Sequence, residues 1–172
     1  MPVLAINGGE KTRTEGWPEW PPDDPGFLEN LKKVIDSKVW GVRGEWTEKA
    51  QEMMADYHDA KFAAACTSGT SALEIALRAC GVRPGSEVIV PPYTFVATAS
   101  SVVAAGGVPI FVDIEEDTFN IDPAKIEDAI TDRTAAIIAV HIGGSPADLD
   151  PIMETARKHD VKVIEDCAQA HG

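Results

Sequence analysis

From residue 60 onward, short apolar runs alternate with stretches in which apolar residues recur every third or fourth position. Phe62-Ala63-Ala64-Ala65-Cys66, Glu87-Val88-Ile89-Val90-Pro91, Val108 to Asp113, Ala135 to Val140 and Val161 to Asp166 predict strands. The intervening segments predict helices: Thr67 to about Ala79, closed by Gly81; Phe95 to about Ala105; Pro123 to Ile130, with proline at the first position; and Asp150-Pro151 to about His159. A strand with one wet face alternates apolar and polar residues. These runs are nearly continuous, so both faces are expected to be covered. The expected class is α/β, a three-layer αβα arrangement around a mostly parallel sheet.

Upstream, Phe27, Leu28, Leu31, Val34 and Ile35 share one helical face, predicting a helix from Phe27 to about Ser37. Val39-Trp40-Gly41-Val42-Arg43-Gly44 breaks it. A second helix follows from Glu45 to about His58, with Trp46, Ala50, Met53, Met54 and Tyr57 as its stripe and acidic residues in its first turn. The first 25 residues cannot form a regular helix, because the prolines of Trp17-Pro18-Glu19-Trp20-Pro21-Pro22 remove donors and restrict their neighbours. Their tryptophans are too apolar for a free tail. Residues 1–25 are therefore expected to be an extended arm that packs on another surface, such as a second subunit, and residues 26–172 to build the sheet domain.

Charge narrows the partners. With 15 Lys and Arg against 28 Asp and Glu the net charge is −13. That balance disfavours nucleic acid, whose phosphates need clustered cations. No apolar run approaches the roughly 20 residues that span a bilayer, and the first residues lack the features of a signal peptide. The expectation is a cytoplasmic protein. The three cysteines (Cys66, Cys80, Cys167) and four histidines (His58, His141, His159, His171) fall in no metal-ligand spacing. No metal is expected, and the cysteines read as small buried hydrophobes. The acidic stretch from Asp113 to Asp128 reads as a solvated edge.

Three features stand at the carboxyl ends of predicted strands, where sheets of this class bind ligands. Thr67-Ser68-Gly69-Thr70-Ser71 opens a helix; its free N–H groups and hydroxyls suit a phosphate, or simply an N-cap. Pro91-Pro92-Tyr93-Thr94-Phe95 places an aromatic at the same rim, where it can stack on a flat ring or cap the core. Asp166 ends an apolar strand read as buried, and a buried carboxylate is costly unless paired. A protonated heterocyclic nitrogen would pair with it; a helix cap or a surface acid is the other reading.

In this order and spacing the blocks resemble a known family. Ser68-Gly69-Thr70-Ser71-Ala72-Leu73, Gly85 to Pro91, Thr94-Phe95-Val96-Ala97-Thr98, Pro109 to Ile114 and Glu165-Asp166-Cys167-Ala168-Gln169-Ala170-His171-Gly172 are similar to the N-terminal part of the DegT/DnrJ/EryC1/StrS sugar aminotransferases. Those are pyridoxal-phosphate enzymes of the aspartate-aminotransferase fold. The resemblance implies that residues 26–172 are part of a cofactor-binding large domain. It implies that Gly69 and Thr70 hold the cofactor phosphate, that Phe95 stacks on one face of the ring and Ala168 packs on the other, that Asp166 pairs with the pyridinium nitrogen, and that Gln169 lies near the phenolic oxygen.

The implied activity is transfer of an amino group from glutamate or glutamine to a keto-sugar or keto-cyclitol, in a homodimer. A sugar dehydratase of the same fold, or a non-catalytic pyridoxal-phosphate-binding module, are the alternatives. Many members carry an aromatic after the histidine of the fifth strand, where this chain reads His141-Ile142-Gly143-Gly144; synthases of aminated cyclitols also tend to lack it. The Schiff-base lysine of the family lies beyond the stretch ending at Gly172. The expectation is therefore that residues 1–172 hold no catalytic lysine and are inactive alone, with the rest of the large domain and a C-terminal domain outside them.

Overall fold

Four parallel strands organise the second half of the chain: β1 (Glu87–Val90), β2 (Val108–Phe111), β3 (Thr134–Val140) and β4 (Lys162–Asp166), in the spatial order β2-β1-β3-β4. The computed structural model describes residues 3–41 and 44–171. Met1-Pro2, the Val42-Arg43 pair inside the predicted break, and Gly172 of the last sequence block lie outside the described residues. The chain divides into two units, Met1–Ala50 and Gln51–Gly172.

In the second unit the strand residues alternate between two cores. Val88 and Val90 of β1 and Ala136, Ile138 and Val140 of β3 pack with Leu73, Leu77, Val102 and Ala105. Those four come from helices α3 (Gly69–Ala79) and α4 (Ala97–Ala104) and the residue that ends α4. Ile89, Ile137 and Ala139 point the other way and pack with Ile126, Ile152 and Ala156. These belong to α5 (Pro123–Ile126) and α6 (Leu149–Lys158). Side chains of a strand alternate faces. The consecutive apolar residues Val88, Ile89 and Val90 of β1 therefore require helices on both sides, which is the three-layer arrangement. Each fully buried Leu or Ile contributes about 1.5–3 kcal/mol of transfer free energy.

Local signals set the boundaries. Ser68 caps α3, its Oγ accepting from the Ser71 N–H at 3.2 Å. Asp122 caps α5 by accepting from the Ala124 N–H at 3.0 Å, with Pro123 in the first turn. After α5 the chain tightens into a 3-10 turn, Glu127–Ala129, so the helix expected to reach Ile130 is shorter. Helix α4 begins at Ala97, leaving Phe95 in the turn before it.

Four expectations are corrected. Phe62 to Cys66 forms no strand and Phe62 is exposed, because no neighbouring strand offers the segment a ladder among the described residues. The stretch from Asp113 to Asp128 is more than a solvated edge, since Asn120, Ile121 and Ile126 are buried within it. The cysteines are not core residues: Cys66 is exposed, and Cys80 and Cys167 are half-buried. Strand β4 stands at the edge of the four-stranded sheet and is only partly buried, so Asp166 does not end a deeply buried strand.

At the amino ends of the strands, Glu87 is buried and held from β3's side. Thr131 Oγ1 donates to it at 2.5 Å and Arg133 Nε at 2.9 Å, with a further bond from Arg133 Nη2. The Thr131 hydroxyl first, and then Arg133, hold the Glu87 carboxyl below the usual glutamate range.

The first unit carries a 3-10 turn at Ala5–Asn7, an irregular stretch, and helix α1 (Gly26–Ser37), which ends at Lys38 with a left-handed φ of 56°. The pairs Lys33–Glu29 and Lys32–Asp36 brace α1 along its length. Trp17 and Trp20 are exposed, with the Arg13 guanidinium 4.4 Å from the Trp17 ring centroid. Helix α2 (Glu45–Tyr57) follows.

Candidate functional site

The chain leaves β1 for β2 on one side and later returns to place β3 on the other. The order of connection therefore reverses between β1 and β3, and such a switch point opens a crevice at the carboxyl ends of the strands. The loops from β1, β3 and β4 meet at this rim.

Asp166 is the last residue of β4, paired in register with Val140. Its carbonyl accepts from the His141 N–H at 3.2 Å, which extends the ladder one step. Each carboxylate oxygen has a donor: Thr98 Oγ1 donates to Oδ2 at 3.2 Å and the Ala168 N–H to Oδ1 at 3.2 Å. A carboxylate offers about four lone-pair sites, so acceptor capacity remains for a cationic partner.

The turn between β1 and α4 supplies the aromatic. Phe95 is 74% exposed, and its carbonyl accepts from the Thr98 N–H at 3.1 Å. Thr94 and Thr98 share a hydroxyl contact of 2.9 Å. Phe95 thus sits in a turn bracketed by two threonines, one of which grips Asp166. Beside it Tyr93 packs on Phe119, with ring centroids 5.6 Å apart.

Helix α3 packs on β4. Its first turn contains Gly69 and half-buried Thr70, whose N–H groups have no acceptor within the helix. Ser71 closes the entrance, its Oγ 3.1 Å from Ser68 Oγ and 3.2 Å from Thr67 Oγ1.

The turn after β4 carries Ala168 and Gln169, both exposed. Gln169 Oε1 accepts from the Gly143 N–H at 2.7 Å, tying this turn to the loop after β3. Gly143 and Gly144 both have left-handed φ, 64° and 82°. A Cβ at Gly144 would lie 3.1 Å from the Gln169 carbonyl oxygen, whereas one at Gly143 would meet nothing within 4 Å. The open face of this loop lies at Gly143.

Two residues that sequence patterns missed hold that loop. Asn120, 2% exposed, donates from Nδ2 to the carbonyls of Ser145 and Pro146 at 3.1 Å each and accepts the Ile142 N–H at 3.1 Å. His141 is buried; its Nδ1 accepts from the Ala147 N–H at 2.9 Å and its Nε2 lies 3.1 Å from Glu165 Oε2. Thr94 and Thr98 were also missed as site residues. Their i, i+4 spacing at a predicted helix start, within a block that carries the family resemblance, was the signal available.

His141, Glu165 and Cys167 bring ligand atoms within 4.8 Å of one another. Hydrogen bonds already engage the histidine of this set. Nδ1 of His141 is occupied as an acceptor, so the neutral ring carries its hydrogen on Nε2 and directs it at Glu165. Burial first, and then the charges of Glu165 and Asp166, push the Cys167 thiol up.

A carboxylate, an exposed aromatic and the loops that hold them stand at the carboxyl-end rim of a parallel α/β sheet, the rim at which sheets of this class bind ligands. Residues 22–172 match the model of the DegT/DnrJ/EryC1/StrS aminotransferase family, and the chain belongs to that family. It is 43% identical over 178 residues to L-glutamine:2-deoxy-scyllo-inosose aminotransferase of Micromonospora echinospora, covering 100% of this chain and 42% of that protein. Among solved structures, 3-amino-5-hydroxybenzoic acid synthase superposes with a TM-score of 0.88 at 35% identity, over 93% of this chain and 42% of that one. The Bacillus subtilis protein ntda, solved with bound cofactor PMP, gives 0.81 at 41% identity, over 84% of this chain and 33% of that one. The chain thus spans about two fifths of the length of the curated relative.

Proposed function

We propose that the protein carrying this chain is a pyridoxal-phosphate-dependent aminotransferase that moves an amino group from glutamine or glutamate to a keto-cyclitol or keto-sugar. The observation that carries the reading is Asp166, a carboxylate fixed at both oxygens on the rim where Phe95 is exposed. The donor set fits the cofactor. The phosphate would take the N–H groups at Gly69 and Thr70, where the helix start favours an anion. Phe95 and Ala168 would enclose the ring, and Gln169 would stand near its phenolic oxygen. Asp166 would hold a proton on the ring nitrogen by making its cationic form the favoured one. When bound, pyridoxal phosphate supplies an acceptor for the electrons left as the substrate loses its Cα proton.

Glutamine as donor and a keto-cyclitol as acceptor are favoured by the name of the Micromonospora relative. The open loop at Gly143-Gly144, which presents no side chain, is compatible with such an acceptor. The lysine that the resemblance requires is expected outside residues 1–172. Residues 1–25 as an arm, residues 26–172 as part of a large domain, a homodimer and a cytoplasmic setting belong to the same proposal. No helix of the described residues is long and apolar enough to cross a membrane.

The test uses the full-length protein with pyridoxal phosphate, glutamine and 2-deoxy-scyllo-inosose, following the aminated product. Asp166→Ala is expected to lower turnover by about a hundredfold or more, the scale of losing a preorganised electrostatic partner. Unchanged turnover in that variant would overturn the reading.

A further inference from the structure

We propose that Thr98 is a positioning residue for Asp166, and that the Thr94–Thr98 hydroxyl pair couples the Phe95 turn to that carboxylate. The inference rests on the cofactor reading above and extends it to residues that would not touch the cofactor.

Thr98 has 0% exposure. At such a site valine fills the same shape without a hydroxyl to satisfy, and burying an unpaired hydroxyl is costly. Here the hydroxyl is not idle. Its single hydrogen goes to Asp166 Oδ2, across 68 positions of sequence. A threonine hydroxyl has one hydrogen to give, so the contact with Thr94 must run the other way. Thr94 donates and Thr98 accepts at 2.9 Å. The result is a directed relay from Thr94 through Thr98 to Asp166.

The backbone of Thr98 is fixed on both sides. Its N–H bonds the Phe95 carbonyl at 3.1 Å, and its carbonyl accepts from Ser101 Oγ at 3.0 Å. Thr98 is therefore one rigid post. Its backbone sets the turn that carries the exposed aromatic, and its side chain sets the rotamer of the carboxylate. With the Ala168 N–H on Oδ1, the Thr98 bond pins the carboxylate plane. Without it, only the Ala168 N–H would restrain the carboxylate, and the Asp166 lone pairs would be presented less uniformly in one direction.

The experiment compares full-length wild type with Thr98→Val, Thr98→Ser, Thr94→Val and Asp166→Asn. Each apoprotein is titrated with pyridoxal phosphate for Kd. The ring nitrogen of nitrogen-15-labelled cofactor is then followed by NMR against pH. Thr98→Val is expected to weaken binding about tenfold, the scale of one hydrogen bond to a charged group, and to move the ring-nitrogen resonance. Thr98→Ser, which keeps the hydroxyl, should restore both. Thr94→Val should weaken binding about threefold, since it only frees the Thr98 rotor; this variant carries the test if Thr98→Val does not fold. Wild-type Kd and an unmoved resonance in the folded Thr98→Val or Thr94→Val protein would overturn the proposal. Asp166→Asn separates the two levels. If it binds as tightly as wild type, the cofactor reading itself fails. If it binds weakly while Thr98→Val does not, only the positioning role fails.

Discussion

Removing the Asn120 carboxamide should loosen the loop after β3, the loop whose Gly143 N–H holds Gln169. The side chain makes three hydrogen bonds, two donated and one accepted, each 3.1 Å long, and all of them end on residues 142–146. A typical bond of this kind contributes about 0.5–1.5 kcal/mol net. Asn120→Ala removes all three. Some of the freed backbone groups will regain water, so the expected loss is about 2–3 kcal/mol rather than the upper sum of the three bonds. Asn120→Asp should be worse at neutral pH, because a carboxylate cannot donate to the Ser145 and Pro146 carbonyls. It should recover in part on acidification, when the protonated acid can give one bond back. Hydrogen exchange of the Ile142 amide reads the effect locally. Opening made easier by that amount accelerates exchange by about 30- to 150-fold at 1.4 kcal/mol per decade. An Ile142 amide that exchanges at the wild-type rate in Asn120→Ala would refute the reasoning, since that N–H has Asn120 Oδ1 as its partner.

Two further predictions concern stability. The Glu87 carboxyl titrates lower in the folded protein than in the unfolded chain. Its contribution is therefore complete above the unfolded value of about 4.3 and is lost as pH falls through the lower folded value. Denaturation midpoints of wild type and Glu87→Gln should differ at pH 7 and converge on acidification; a gap that persists at low pH would contradict this. Leu77→Ala empties a fully buried position between α3 and the sheet. It should cost about 2–5 kcal/mol, visible as a lower melting temperature in the full-length protein.

The sheet was legible because the physics that builds it is local to each run. Val88-Ile89-Val90 and Ala136 to Val140 are apolar at every position, and only a strand covered on both faces requires that. The same criterion failed at Phe62 to Cys66, where composition matches but no neighbouring strand completes a ladder. An apolar run reports a preference for burial and does not reveal whether a partner strand exists. At the rim, Asp166 and Phe95 stood out because a carboxylate at a strand end and an aromatic after two prolines are conspicuous in isolation. Thr98, Asn120 and His141 did not. Each takes its meaning from a contact 24 or more residues away, or from a loop whose path the sequence does not display: Thr98 with Asp166, Asn120 with Ser145, His141 with Glu165. They were invisible for a physical reason: a threonine in a helix start and an asparagine in an acidic stretch both have ordinary local explanations.

Because all four strands run the same way, the clasp of Glu87 by Thr131 and Arg133 and the grip on Asp166 stand at opposite rims of the sheet. The two ends answer to different demands. Changes that tighten or relax the Glu87 end shift how firmly the scaffold holds together. They leave the alignment of the proposed cofactor rim alone, with the strands as stiff spacers between. An engineer seeking a hardier variant would begin there, and inherited variation at that end should be read as tuning durability rather than chemistry.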